Sequence, residues 1–297
     1  MQPHLMYWIL GSFAALMSAF TWAVGSILFR KLGDEVSPLG MNLGKTILGI
    51  LYIGAVLLLT GISPIGSREF LLLGASGLLG IALGDTLFFR ALIYLGPRLT
   101  VLLGTAGPVV TVLLAVIFLK ERPSLQAWIG IILVLTGITW ILWKHSPKAR
   151  TQSNYLPGIK YLLLSIACTS IGIIFAKIGV SSTSALQALF IRFLGGAVGL
   201  AVFGCASRKL TTWLLPFRNL RLLKFIAFTV LVVVFGGFWL FLLSLKYIDA
   251  SIATILNSTE PLFILPLAAF VLKEKISLSE ITGAIVAVGG VVLIFIG

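Results

Sequence analysis

The sequence predicts an all-α integral membrane protein, with ten transmembrane helices in two inverted five-helix repeats. Three observations lead there. Of 297 residues, 59% are hydrophobic and 10% charged, and the mean hydropathy is +1.12; a soluble domain carries nearer a quarter charged residues. Ten apolar runs approach the roughly 20 residues that a helix needs to cross hydrocarbon. Finally, one segment is written twice. Tyr94, Leu103, Pro108, Leu119-Lys120-Glu121, Ser124, Leu125, Gly130 and Gly137 recur 153 residues later as Tyr247, Leu256, Pro261, Leu272-Lys273-Glu274, Ser277, Leu278, Gly283 and Gly290.

The runs lie at about 5–29, 38–60, 70–93, 97–119, 124–143, 157–179, 184–205, 222–246, 250–272 and 277–296. Around the end of the first, Phe29, Lys31 and Gly33 match Phe175, Lys177 and Gly179 at the end of the sixth. The second starts after Ser37 and holds Lys45 and Gly49, matched by Ser184, Arg192 and Gly196 in the seventh. The third carries Asp85 and its counterpart, the eighth, carries Trp239. The fourth and ninth share a proline inside the run, Pro108 and Pro261, where each would free a backbone carbonyl and bend its helix. The fifth and tenth share two glycines apiece on one face, which suits close packing. Five spans per repeat is an odd number, so the second half is turned over relative to the first.

The repeats occupy residues 1–146 and 157–297, joined by a polar linker at 147–156. Connections elsewhere are short, apart from a basic stretch at 208–224 that reads as a surface loop with an interfacial turn. Gly40 with Gly44, and Gly80 with Gly84, form GxxxG pairs, read as helix packing or as hinges.

Composition excludes several classes. The 22 Lys and Arg against 9 acids give +13, yet the cations gather between apolar runs rather than along a basic, aromatic stripe. That is the pattern of the positive-inside rule, not of nucleic-acid binding. Two cysteines, Cys168 and Cys205, make neither a disulfide framework nor a zinc site. The amino terminus lacks the basic region of a signal peptide, so the first run is expected to persist as a helix. The two histidines, His4 and His145, are isolated, and no catalytic set, metal spacing or phosphate loop is present. No cofactor or metal is expected.

Pro108, then Lys120-Glu121-Arg122, Gln126 and Gly130, resemble the end of an EamA domain, and Pro261, Lys273-Glu274-Lys275 and Gly283 resemble a second. Two in tandem are similar to the ten-helix members of the drug/metabolite transporter superfamily. The resemblance implies a basket of two inverted five-helix units around a central cavity, lined mainly by the first four helices of each half. It also implies export or exchange of amino acids, nucleotide sugars, other metabolites or drugs.

Charge inside a span is costly and persists only with a partner or a cavity. Lys45 and Arg192 are repeat equivalents, suited to an anionic or zwitterionic substrate if they face one cavity. The alternative is an internal ion pair with Asp85 or Glu260. Those two are the deep carboxylates, and they break the repeat: Asp85 aligns with Phe238 and Glu260 with Gly107. Both are candidates for proton coupling or cavity polarity. Asn42 and Tyr52 share a stripe with Lys45, and Asn257 lies one turn before Glu260. Trp22 and Trp239 either stack on substrate or pack in the core or against lipid. Glu121 and Glu274 read as helix caps and ion pairs.

The expected function is therefore a secondary transporter of small metabolites such as amino acids, in the plasma (inner) membrane. A membrane-embedded enzyme and a channel are the alternatives; neither has a supporting motif. The partners are a small-molecule substrate and the lipid bilayer, without nucleic acid, and the oligomeric state stays open. Orientation divides two arguments. Odd-numbered loops carry 14 Lys and Arg and even-numbered loops 5, which puts both termini outside. The family resemblance implies both inside.

Overall fold

The computed structural model describes residues 3–32, 35–95, 100, 103–143, 155–271 and 278–296. They are mainly helical, with no strand among them. In the first half, α1 (Pro3–Leu32) and α2 (Pro38–Thr60) are followed by α3, made of Ser67–Gly77, a π-helical stretch Leu78–Gly84, and Asp85–Leu95. Next come α4 (Ala106–Phe118) and α5 (Leu125–Trp143). The second half has α6 (Tyr155–Val180), α7 (Ala185–Ala206) and α8, built from Leu220–Val232, π-helical Val233–Trp239 and Leu240–Tyr247. It ends with α9, in two pieces Ala250–Asn257 and Glu260–Val271, and α10 (Leu278–Ile296).

The membrane-helical class holds, but span lengths differ from the expectation. Six helices among the described residues are long and apolar enough to cross a bilayer: Leu5–Phe29, Pro38–Thr60, Ser67–Ala91, Leu156–Val180, Ala185–Ala206 and Leu220–Tyr247. Ala106–Phe118, Leu125–Ile141 and Ile281–Ile296 are shorter apolar helices. α4 and α9 are short because the chain turns at Thr105 and again at Ser258–Thr259. Pro108 and Pro261 sit in the first turn of the pieces that follow, where a proline costs no helical hydrogen bond. Pro266 is the proline inside a described helix.

Helix starts are set by side chains. Ser37 accepts from the Gly40 amide (3.2 Å) and its repeat partner Ser184 from the Gln187 amide (3.1 Å), each occupying one donor of a first turn.

The halves interlock around a pseudo-two-fold axis. α1 packs on α8 and α9, and α6 packs in the equivalent way on α3 and α4. Equivalent helices also meet directly: α2 with α7, α4 with α9, and α5 with α10. In the last pair Gly130 lies against the Gly290 carbonyl and Gly137 against the Gly283 carbonyl; a Cβ would stand 2.7 and 2.5 Å from those oxygens. Gly130 is the repeat partner of Gly283, and Gly137 of Gly290. Crossed pairing of this kind arises only when the equivalent helices run antiparallel.

That contact yields a test. Gly137→Ala places its Cβ 2.5 Å from Gly283 O and 2.6 Å from Ala287 N, both backbone atoms that cannot rotate aside. We expect a loss of about 1–3 kcal/mol, read as a lower unfolding midpoint in detergent. Gly74→Ala, whose Cβ would meet nothing within 4 Å, should leave the midpoint unchanged or slightly higher.

Candidate functional site

Polar residues in an apolar bundle must find partners among backbone groups that helices leave free. The π-helical stretches create such groups at equivalent places. Ser18 Oγ on α1 donates to the Gly237 carbonyl (2.8 Å), and Ser165 Oγ on α6 donates to the Gly84 carbonyl (2.8 Å). Gly25 lies against Val233 in one half, as Gly172 lies against Gly80 in the other. These pairs are offset by 147 residues on the first helices, one more than the offset that aligns Phe29 with Phe175. π stretches inside α-helices are frequent at functional sites because they widen the helix and redirect side chains. Here Asp85 and Phe238 stand at and beside the ends of the two stretches.

Between the halves lies a cavity of about 710 Å³, within the range of small-molecule sites. Both repeats build it. Trp22, Asp85, Phe88, Pro108 and Thr111 line it from the first half, and Arg192, Phe238, Asn257, Glu260 and Pro261 from the second. Most of the wall is apolar, and the polar groups are few.

Lys45 does not border the cavity. Lys45 is buried (7% exposed), with its ammonium 3.1 Å from Asp85 Oδ2 and 4.9 Å from the centre of the Phe238 ring. Of the two readings for Lys45, the structure shows the internal ion pair. Arg192 instead borders the cavity. It is 6% exposed and on the cavity wall, and Gly77 and Gly80 of α3 clear the room for it: a Cβ at Gly77 would overlap the Arg192 carbonyl. Its Nε is buried without a hydrogen-bond partner, and Asp85 lies within electrostatic reach.

Asn42 is buried behind the wall, donating to the Ile81 carbonyl (3.0 Å). Tyr52 donates to the Ala227 carbonyl (3.1 Å) and Trp239 packs into the main core, so neither borders the cavity. Trp22 does, held edge-on to Phe238 at 4.9 Å. Asn257 also does, and its Oδ1 is buried without a partner, as is Thr254 Oγ1 one turn earlier.

α6, among the helices the resemblance implied for the cavity, supplies residues that sequence reasoning did not single out. Leu162, Ser165, Ile166, Thr169, Ser170 and Ile173 form one cavity wall, and Ser170 bonds Thr111 (2.9 Å). The signal was there: Ser165 and Thr169, four apart, share a helical face with Leu162, Ile166 and Ile173.

At one end of the bundle, hydrogen bonds tie helix ends together, several of them between the halves. Across the halves the Gln187 amide donates to Ser63 O (2.7 Å) and accepts from Ser63 N (3.1 Å), and within the second half Lys246 donates to Thr183 O (2.8 Å). Lys120, at φ 60, turns the chain so that Glu121 tucks in and accepts from Ala250 N (2.7 Å) and Ser251 N (3.0 Å). Glu121 is thus a cap, but for a helix of the opposite repeat. Its counterpart Glu274 lies outside the described residues. Next to it, partial burial and then the Glu121 carboxylate push the Asp249 carboxyl above the usual range, while Lys177 pulls it back.

The Lys45–Asp85 pair can be measured directly. Asp85→Asn leaves a buried ammonium without its carboxylate and should cost about 1–3 kcal/mol, less than for a fully buried pair because Asp85 is 34% exposed. In a double-mutant cycle with Lys45→Met, the double variant should lose less than the sum of the singles. Additive losses would show that the two groups do not interact.

Two copies of the EamA-like transporter family profile match this chain, at residues 9–143 and 156–296. An uncharacterized transporter of Archaeoglobus fulgidus is 25% identical over 292 residues, 95% of this chain and 96% of that protein. The uncharacterized inner membrane transporter YhbE of Escherichia coli is 30% identical over 107 residues, 36% of this chain and 33% of its own length. A WAT1-related protein of Arabidopsis thaliana is 27% identical over 162 residues, 49% of this chain and 45% of its own. A protein crystal structure with TM-score 0.73 and 17% identity covers 97% of this chain and 96% of its own, a likeness of fold. With family matches spanning both halves, the chain belongs to the EamA-like transporter family and is an integral membrane protein.

Proposed function

We propose that the protein is a secondary transporter of small carboxylate-bearing metabolites such as amino acids, working by alternating access in the plasma membrane. In this reading the chain crosses the bilayer ten times, as two inverted units of five. One observation carries the substrate class: the Arg192 guanidinium, buried on the cavity wall, has an Nε with no partner. A charge held in an apolar wall costs free energy, and a carboxylate bound in the cavity would pair with the guanidinium. Asn257 and Thr254, also on the cavity wall, add polar side chains suited to an ammonium or hydroxyl. Trp22, Phe88 and Phe241 give the rest of the solute an apolar surface.

Asp85, held by Lys45, sets the polarity of the wall near Arg192. Glu260, at the break in α9, is our candidate for proton coupling. The cross-half hydrogen bonds at Ser63 and Glu121 support a state closed at that end, as alternating access requires.

Proteoliposomes loaded with a panel of amino acids and other small carboxylates test this by counterflow. The wild type should exchange at least one carboxylate faster than empty vesicles. Arg192→Gln should slow that exchange on the order of 30-fold or more, with the unfolding midpoint little changed. No movement above empty vesicles by the wild type, or full carboxylate exchange by Arg192→Gln, would contradict the reading.

A further inference from the structure

The connector between α7 and α8 has no part in the cavity, yet it is built with unusual care. Leu210–Leu214 and the 3-10 turn Leu215–Arg218 lie along the bundle, fixed by two aromatic side chains. Trp213 is 4% exposed and stacks on Phe203 at 5.9 Å. Phe217 fills the space left by Gly44, where a Cβ would stand 2.6 Å from its ring, and Gly204 makes room for Trp213.

This anchored segment presents both components of a membrane-surface element on its outside. Leu215 and Leu220 are 56% and 62% exposed. Around them Arg208, Lys209, Arg218, Arg221 and Lys224 are all exposed. No acidic residue occurs in the sequence between Glu121 and Asp249, and the ion pair seen among the described residues is Lys45–Asp85. Five cations therefore stand beside apolar side chains with no carboxylate nearby in the chain. Arg208 adds a second sign. Its backbone is left-handed (φ 54) at the end of α7, a position that glycine fills without strain. An arginine is kept where a glycine would be easier.

We propose that this connector is an in-plane docking surface for anionic phospholipid headgroups of the adjacent leaflet. The leucines enter the acyl boundary and the cations meet the phosphates.

The purified full chain, in micelles of a neutral detergent, is titrated with phosphatidylglycerol, phosphatidylcholine or inorganic phosphate while thermal unfolding is followed. Phosphatidylglycerol should raise the unfolding midpoint, with little response to the other two, and ~0.5 M salt should weaken the effect. The triple variant Lys209→Gln/Arg218→Gln/Arg221→Gln should need on the order of tenfold more phosphatidylglycerol or beyond. Arg208→Gly should keep or raise the midpoint without lipid, through relief of the left-handed backbone, and still need several-fold more phosphatidylglycerol. If the triple variant does not fold, Arg208→Gly decides alone. Equal titration of wild type and variants, or an equal response to phosphatidylcholine or free phosphate, would overturn the proposal.

Discussion

The backbone contact between α5 and α10 is the constraint on which the remaining architecture rests. Lipid is as apolar as leucine, so burial of apolar side chains does not by itself hold helices together in a bilayer. Close approach of main chains does, and Gly130, Gly137, Gly283 and Gly290 allow it. Because each glycine meets the partner of its own equivalent, the two repeats are locked antiparallel. The same symmetry then dictates that α1 of one half packs on α8 and α9 of the other, as α6 does on α3 and α4. A cavity between the halves follows from that exchange.

The charge pattern departs from the two-fold symmetry. Lys45 and Arg192 are equivalent, and so are Phe238 and Asp85. Lys45 lies over Phe238, as its counterpart Arg192 lies within reach of Asp85. Asp85 also pairs with Lys45 inside its own half, a bond that Phe238 cannot offer Arg192. One carboxylate in place of a phenyl ring thus neutralises one cation and leaves the other on the cavity wall. The scaffold is two-fold; its charge is not.

Much of this was legible in the sequence, and the limits have physical causes. Repeated prolines, glycines and charges gave the two units, because those residues are placed by backbone geometry and by the cost of burial. Lys45, Arg192 and Asp85 stood out because charge in an apolar run demands a partner. The π stretches were not visible, since Leu78–Gly84 and Val233–Trp239 have the composition of any buried helix. The serines that bond to them, Ser18 and Ser165, could not be assigned without knowing which carbonyls were free. Tyr52 shares a helical stripe with Lys45 yet meets the Ala227 carbonyl, because a stripe fixes a direction and not the neighbour found there. Glu121 was read as a cap, but sequence spacing could not reveal that the capped helix is 129 residues away.

Spin-label distances test the antiparallel pairing most directly. Leu125 begins α5, and Leu278 and Ile296 bound α10; all three are exposed, at 75%, 81% and 75%. With Cys168 and Cys205 replaced, labels at positions 125 and 296 should lie side by side. Labels at 125 and 278 should be separated by roughly the length of α10, about 28 Å at 1.5 Å per residue. A short 125–278 distance with a long 125–296 distance would mean that the equivalent helices run parallel, and the two-fold account would fail.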